Sequence, residues 1–433
     1  MPLIELRTIV PFRKESMLKA LLITLGASLL WLAFVIVGAF FGLWMQPWAA
    51  PGDVDAFHER AAAMLASDNP GHAAFVLLED GIAVTDYYSE NGFTIDGDTV
   101  FAVASMSKFI TALAVMQLAE AGQVDLDAPV NSYLSRWQLP SAGYNGDAVT
   151  ARQLLSHTAG LEDGLGFGDY AADESLPALE DELANPRTSD GATAVIAASA
   201  EPGNWQYSGG GYLVLELLIE EITGRTFEDH VRSVIFEPLA MTRSGYGFIG
   251  DVASNAGSLT TEGEPAPLYR YASSAATALL ASGTDLTLLI QALVPQAEAT
   301  RLLDVETLDA MREPHGTTMG AAIWGLGTIL YAPIGDGDYL YGHDGGNDPA
   351  INSTLRINPL TGDAIIVLVT GHPSIATEIG SQWVLWQSGY PDVLAVDSVI
   401  ASMLLPSVIG LLVIFLGLLG FVFLRGPRLR SRR

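Results

Sequence analysis

Ser105-Met-Ser-Lys108 sets a hydroxyl and an amine three residues apart at the start of an apolar stretch. Three residues is close to one helical turn, so on a helix the two groups share a face. A helix N-terminus offers free N–H groups and the positive end of its dipole to a developing oxyanion. Burial disfavours an ammonium, and a neutral amine beside a hydroxyl can take its proton. The chain has three lysines, Lys14, Lys19 and Lys108, so Lys108 stands alone beyond the N-terminal segment, where the other cationic side chains are arginines. An arginine cannot give up its proton in a protein, whereas a desolvated lysine can. Other chemistries are absent. With no Cys there is no disulfide, thiolate metal site or thiol nucleophile. His58, His72, His230, His315 and His372 show no metal-ligand spacing, and neither His-Glu-x-x-His nor Gly-x-Ser-x-Gly occurs. No metal and no cofactor is expected.

The elements that must position this pair can be read from periodicity. Residues 106–121 form a helix apolar nearly all round, hence buried, which disfavours a mere cap for Ser105 and a snorkelling amine for Lys108. Gly122 ends it. Residues 54–66 read as an amphipathic helix, and two β-rich runs around Asp80-Gly81 as a hairpin. Residues 162–200 are rich in Gly, Asp, Glu and Pro and read as loops and short helices. A helix spans 212–222, strands span 352–358 and 364–370, and a helix follows at 374–388. Strands at both ends with helices between predict an α/β (α+β) domain: one antiparallel sheet assembled from both ends, flanked by helices, with a helical subdomain.

The charges are uneven. None lies between Lys19 and Asp53 or between Asp397 and Arg425. Each gap holds an apolar run longer than the roughly 20 residues needed to cross a bilayer, and the first is too long for a cleaved signal. The expected organisation is a cytosolic tail (1–19), a transmembrane helix (20–45), an outer domain (46–397), a second transmembrane helix (398–424) and a basic tail (425–433). Arg7, Arg13, Lys14 and Lys19 precede the first span; Arg425, Arg428, Arg430, Arg432 and Arg433 follow the second. The positive-inside rule then puts both termini in the cytosol and the outer domain across the inner membrane. With nine of the 21 basic and two of the 49 acidic residues in the tails, the segment between carries 12 and 47, a net charge of −35. Such a surface excludes nucleic acid as a partner and is repelled by anionic headgroups. Gly38-Ala-Phe-Phe-Gly42 allows close helix approach, either pairing the two spans or joining copies into a homo-oligomer.

The ordered set of motifs is similar to the serine β-lactamase-related hydrolases, in the branch of class C β-lactamases, D-peptidases and esterases. Thr99 to Leu113 with its Ser-x-x-Lys, Gly122 to Leu134, Leu154-Leu-Ser-His157-Thr-Ala-Gly160-Leu161, Glu201-Pro-Gly203, Tyr207-Ser-Gly209-Gly-Gly211-Tyr212, Phe236 to Met241, Trp324-Gly-Leu-Gly327 and Gly342-His343-Asp344-Gly345-Gly346 occur in family order across roughly 55–390. The resemblance implies an acyl-enzyme on Ser105, with Lys108 as base or proton shuttle and Tyr207 as the relay to the leaving group. It puts His343 at the third-motif position and the Ser105 and Gly346 N–H groups in the oxyanion hole. Gly209, Asp344 and Gly345 fall at substrate-binding positions, and His157 is structural. Two departures bear on substrate. Gly209 stands where the family usually has Asn, and His343 where β-lactamases mostly have Lys; both weigh against efficient β-lactam hydrolysis. The expectation is a membrane-anchored serine hydrolase acting on an ester, amide or D-amino-acid-containing peptide outside the cytosol. The alternative is a catalytically impaired penicillin-binding-protein-like sensor or scaffold of a membrane complex.

Overall fold

The computed structural model describes residues 14–89, 93–164, 168–187, 195–247, 255–295 and 301–425. The flanking residues Arg7, Arg13, Arg428, Arg430, Arg432 and Arg433 lie outside these, as do 165–167 and 188–194 of the loop-rich stretch. The chain divides into two units. One comprises 1–46, 389–391 and 395–433, the other 47–388 and 392–394.

Eight strands form the main sheet of the larger unit. They are β1 (Ala73–Glu79), β2 (Ile82–Tyr88), β3 (Gly316–Thr318), β4 (Ala321–Trp324), β5 (Ile329–Pro333), β6 (Tyr339–Asn347), β7 (Ile351–Ile357) and β8 (Ala364–Thr370). Their order is β3-β4-β5-β6-β7-β8-β1-β2. The paired neighbours are antiparallel, and β1 meets β8 with Ala73 opposite Val369 and Leu78 opposite Ala364. The sheet is thus assembled from both ends of the domain, as its sequence predicts. The strands at 316–333 were not foreseen. They are short, rich in Gly and Thr, and interrupted by Gly325 and Gly327, so no alternation marks them.

The central strands are apolar on both faces because both faces are covered. In β1, Ala74, Val76 and Leu78 enter one core, while Ala73, Phe75 and Leu77 enter another. The second core is closed by the helices α2 (Val54–Asp68), through Phe57, Ala61 and Leu65, and α5 (Ile375–Ser388), through Ile379 and Trp383. The first is built around α3 (Ser107–Glu120) and α4 (Gly210–Thr223). All but three residues of α3 are buried, so this helix has no solvent face, in keeping with its composition.

The smaller unit holds the apolar helices α1 (Lys14–Phe40) and α6 (Val396–Arg425). Within them 17–40 and 396–423 are long and apolar enough to cross a membrane. The two helices pack on each other. Trp31 Nε1 donates to the Pro406 carbonyl at 3.0 Å, and a Cβ at Gly410 would fall 1.9 Å from the same indole nitrogen. Gly38 and Gly42 serve the end of α1. Trp44 folds back over Gly38 and donates to the Val35 carbonyl at 2.7 Å, and Gly42 takes φ +70° in the turn that follows.

Candidate active site

Ser105 lies in a 3-10 turn, Ala104–Met106, that leads into α3. Ala104 has φ +47°, a left-handed conformation that alanine rarely adopts. The turn is held from three sides. Ser107 Oγ donates to the Ala104 carbonyl at 2.7 Å and accepts from Leu279 N at 3.0 Å. Ser353 Oγ donates to the Val103 carbonyl at 2.8 Å. Gly345, on the neighbouring strand β6, is where the sheet comes closest: a Cβ there would sit 2.0 Å from the Val103 carbonyl oxygen. Backbone strain beside Ser105 persists only when the surroundings over-determine it, and here they do. Ser105 is partly accessible while its neighbours Ala104, Met106, Ser107 and Lys108 are buried.

Lys108 is 0 % exposed. Its Nζ lies 3.3 Å from Ser105 Oγ and donates to the Ala276 carbonyl at 2.8 Å. It sits 4.9 Å from the centroid of the Tyr207 ring and 5.5 Å from that of Tyr212. Burial pulls its pKa down from 10.5 to about 7, with the Asp163 carboxylate opposing. At neutral pH a large share of the amine is therefore uncharged, one helical turn from a serine hydroxyl.

Tyr207 is within hydrogen-bonding reach of the Ser105 side chain, and burial pushes its phenol well up, so it stays protonated. It leads a tight turn into α4. Ser208 N donates to His157 Nδ1 at 3.1 Å, Gly210 N to Asp163 Oδ2 at 2.6 Å, and Gly211 N to Ser208 Oγ at 2.8 Å. Gly210 has no room for a side chain, because a Cβ would lie 2.3 Å from that Asp163 oxygen. Gly209, inside the turn, presents no side chain to the site. His157 packs on Tyr207 with ring centroids 4.4 Å apart and edge-on to Trp324 at 4.7 Å. Burial, helped by the Lys108 charge, holds its pKa well below the usual range, so it is a neutral support for the Tyr207 turn.

His343 is buried in β6, with Nδ1 2.6 Å from the Asp344 carbonyl oxygen. A carbonyl only accepts, so Nδ1 carries the proton and Nε2 presents a lone pair. Burial first and the Lys108 charge second push its pKa down to about 3. The ring is therefore a neutral acceptor rather than a cation that could anchor a substrate carboxylate. Asp344, one residue on, points to the other face of the strand. Its carboxylate takes bonds from Tyr331 OH at 2.9 Å, Thr354 Oγ1 and Arg356 Nη2 at 2.9 Å. The geometry thus gathers Ser105, Lys108 and Tyr207 directly and sets His343 beside Trp324. It gives Gly345 a packing duty and commits the Asp344 side chain to a buried ion pair instead of the cleft.

Three groups that support the site were not singled out from sequence. Asp163 is one of 47 carboxylates between the spans, with no local mark. Ala276 acts through its carbonyl, which no residue type encodes. Glu216, buried on α4, accepts from Ala275 N at 2.9 Å and steadies the segment that holds Lys108. Burial pushes its pKa up to about 8. Its one advance signal is a lone Glu within Tyr212-Leu-Val-Leu-Glu216-Leu-Leu-Ile, an otherwise apolar run. A cavity of about 410 Å³ is lined by Ala102, Tyr271, Thr277 and Ala278 among others. Ala102 is three residues ahead of Ser105, and Thr277 follows Ala276. No cluster of metal-ligating side chains occurs among the described residues.

Comparison with known proteins places the chain in a family. The family profile described as Beta-lactamase matches residues 57–385. Penicillin-binding protein 4 of Amycolatopsis lactamdurans is 28% identical over 341 residues, which cover 74% of this chain and 86% of that protein. Esterase EstB of Burkholderia gladioli is 32% identical over 178 residues, 36% of this chain and 41% of the esterase. Among solved structures, the octameric penicillin-binding protein homologue from Pyrococcus abyssi aligns with a TM-score of 0.59 at 24% identity, covering 78% of this chain and 77% of that one. The D-amino acid amidase from Ochrobactrum anthropi SV3 aligns with a TM-score of 0.58 at 22% identity, covering 76% and 98%. The chain belongs to the beta-lactamase family and is a serine hydrolase whose relatives include penicillin-binding proteins and an esterase.

Proposed function

We propose that this chain is a membrane-anchored hydrolase that forms an acyl-enzyme on Ser105 from an ester, an amide or a D-amino-acid-containing peptide outside the cytosol. The observation that carries this reading is the buried Lys108 amine 3.3 Å from Ser105 Oγ, with a pKa near neutrality. Neutral Lys108 takes the Ser105 proton as Oγ attacks the acyl carbon. The N–H groups of Ser105 and Gly346 receive the developing oxyanion. Lys108, now an ammonium, returns the proton through the Tyr207 hydroxyl to the departing group. Water then enters along the reverse path and frees the acid.

A buried, neutral His343 offers no cation to anchor a substrate carboxylate, which supports a substrate without one at that position. Gly209 leaves the carboxamide-binding role of the second motif unfilled, which favours esters over amides. The apolar helices α1 and α6 and the basic tails support two spans with both termini cytosolic.

The test is labelling of the full-length, detergent-solubilised chain with a fluorophosphonate, followed by a panel of aryl esters, D-amino-acid amides and a chromogenic cephalosporin. Labelling lost in Ser105→Ala and ester turnover well above cephalosporin turnover are the expected results. Equal labelling of wild type and Ser105→Ala would sink the reading. Gly209 also motivates a second reading, a sensor that acylates without turnover; an adduct stable for hours with every ester in the panel would favour it.

A further inference from the structure

The cavity of about 410 Å³ falls within the size range of small-molecule sites. Ser105, Lys108, Tyr207 and His343 do not form its walls, yet it is tied to the nucleophile from three sides. The strand Val100–Ala102, paired with Leu279–Ser282, gives Ala102 to the wall and runs directly into the Ser105 turn. Thr277 follows Ala276, whose carbonyl lies 2.8 Å from the Lys108 amine. Tyr271 OH accepts from the side chain of Asn347, the residue after Gly346 on β6. Tyr207 hands the proton to the departing group, and no residue of its turn borders the cavity. This space therefore falls to the part of the substrate that stays on Ser105.

The walls are not those of a plain apolar slot. Tyr246, Tyr269 and Tyr271 bring three phenol rings, and Glu228 stands among them. Glu228 is half-buried, and its Oε1 accepts from Ser274 Oγ at 2.8 Å, a second wall residue that fixes the carboxylate in place. The carboxylate lies close enough to Tyr246 that its charge adds to burial in pushing that phenol up. Arg270 reaches the same walls from an exposed position, where its Nη1 donates to the Glu174 carbonyl at 3.0 Å; its guanidinium is not paired with Glu228. An ammonium set among phenol faces beside a carboxylate is attracted by both, more strongly where water is excluded. The net charge of −35 between the spans draws such a cation in from a distance.

We propose that this cavity receives the acyl part of the substrate and selects one that carries an ammonium, held by the Glu228 carboxylate and the tyrosine faces. Because the catalytic groups lie outside the walls, the accepted charge stands several bonds from the scissile carbonyl, as on a lysine-like side chain. The inference rests on the reading of Ser105 as nucleophile and narrows the substrate class of that same site. Glu228 takes no part in bond making; it binds.

A matched pair of substrates tests it: the p-nitrophenyl esters of ε-aminocaproate and of heptanoate, which differ only in an ammonium against a methyl group. At neutral pH the full-length, detergent-solubilised chain should favour the ammonium ester in kcat/KM by roughly tenfold. Glu228→Gln keeps the shape and the bond from Ser274 while removing the charge. It should cost the ammonium ester roughly tenfold and leave the heptanoate ester within about twofold. Equal use of the two esters by wild type, or an equal loss on both in Glu228→Gln, overturns the inference. A second readout needs no turnover. In Ser105→Ala, n-butylammonium should bind, as followed by calorimetry, and Glu228→Gln should weaken it roughly tenfold, while n-butanol is unaffected. If wild type hydrolyses neither ester, the hydrolase reading falls, and n-butylammonium binding still decides whether the cavity takes a cation.

Discussion

Two cations are fully buried among the described residues of this domain, and they live in opposite surroundings. Lys108 and Arg356 are both 0 % exposed. Arg356 is saturated: it pairs with Asp344 and Asp392, donates from Nε to Thr354 at 2.8 Å, and stacks 3.9 Å above the Tyr331 ring. Those partners hold its pKa above even the ordinary arginine value. Lys108 meets a backbone carbonyl, the Ser105 hydroxyl and aromatic faces, and burial, opposed by the Asp163 charge, pulls its pKa down to about 7. The difference teaches where chemistry can reside. A guanidinium cannot release its proton, so full ion pairing makes it a fixed tie between β6, β7 and the Asp392 segment. An amine whose burial outweighs the charge opposite it has a proton it can exchange near neutrality.

Exchanging the roles is the strongest way to break this comparison. Lys108→Arg keeps the charge and removes the exchangeable proton, so fluorophosphonate labelling of Ser105 should fall by roughly 10⁴-fold. Retention of even a tenth of the rate would mean that charge, not basicity, is what position 108 supplies. Arg356→Met should leave two buried carboxylates facing each other and destabilise the domain by about 3–5 kcal/mol in urea unfolding. Adding Asp344→Asn and Asp392→Asn should recover part of that loss. If Arg356→Met alone unfolds at the wild-type denaturant concentration, the ion pairs are not the tie described.

The pH responses sharpen the contrast. Labelling should decline as pH falls through about 7, tenfold per unit below it, as Lys108 takes up its proton. No second step from His343 should appear between pH 5 and 9, since burial holds that imidazole down to about 3. The smallest effect is on stability. Lysine titrates at 10.5 when solvated and at about 7 here, so the folded chain binds fewer protons across that interval. Stability therefore rises with pH between the two values, and the penalty for burying the amine is complete below 7. Lys108→Met should accordingly raise stability, by roughly 1–2 kcal/mol at pH 6 and less at pH 9, read from denaturant midpoints.

What could be seen in the sequence follows from how local each feature is. Ser105 and Lys108 are one turn apart on an apolar helix, and spacing alone reveals them. Tyr207 and His343 carry no spacing signal, and only the order of motifs marks them. Asp163, Glu216 and the Ala276 carbonyl reach the site across 55 to 168 residues of chain, and nothing in their neighbours announces it. Asp344 shows the converse. Its position in the third motif suggests substrate contact, yet strand alternation turns its side chain toward Arg356. The hairpin at Asp80-Gly81 and the strand at 364–370 were legible from β-branched runs, whereas the short strands at 316–333 were hidden by their glycines.

The alignment of Ala73 with Val369 and Leu78 with Ala364 also dictates an order of events at birth. Leaving the ribosome, the first strand has a hairpin partner at once, but its second neighbour emerges about 290 residues later. Until then one edge of a largely apolar strand stays unpaired. Synthesis must pass residue 370 before the platform under Ser105 can close, so termination ahead of that strand should yield a sticky, inert fragment rather than a weakened enzyme.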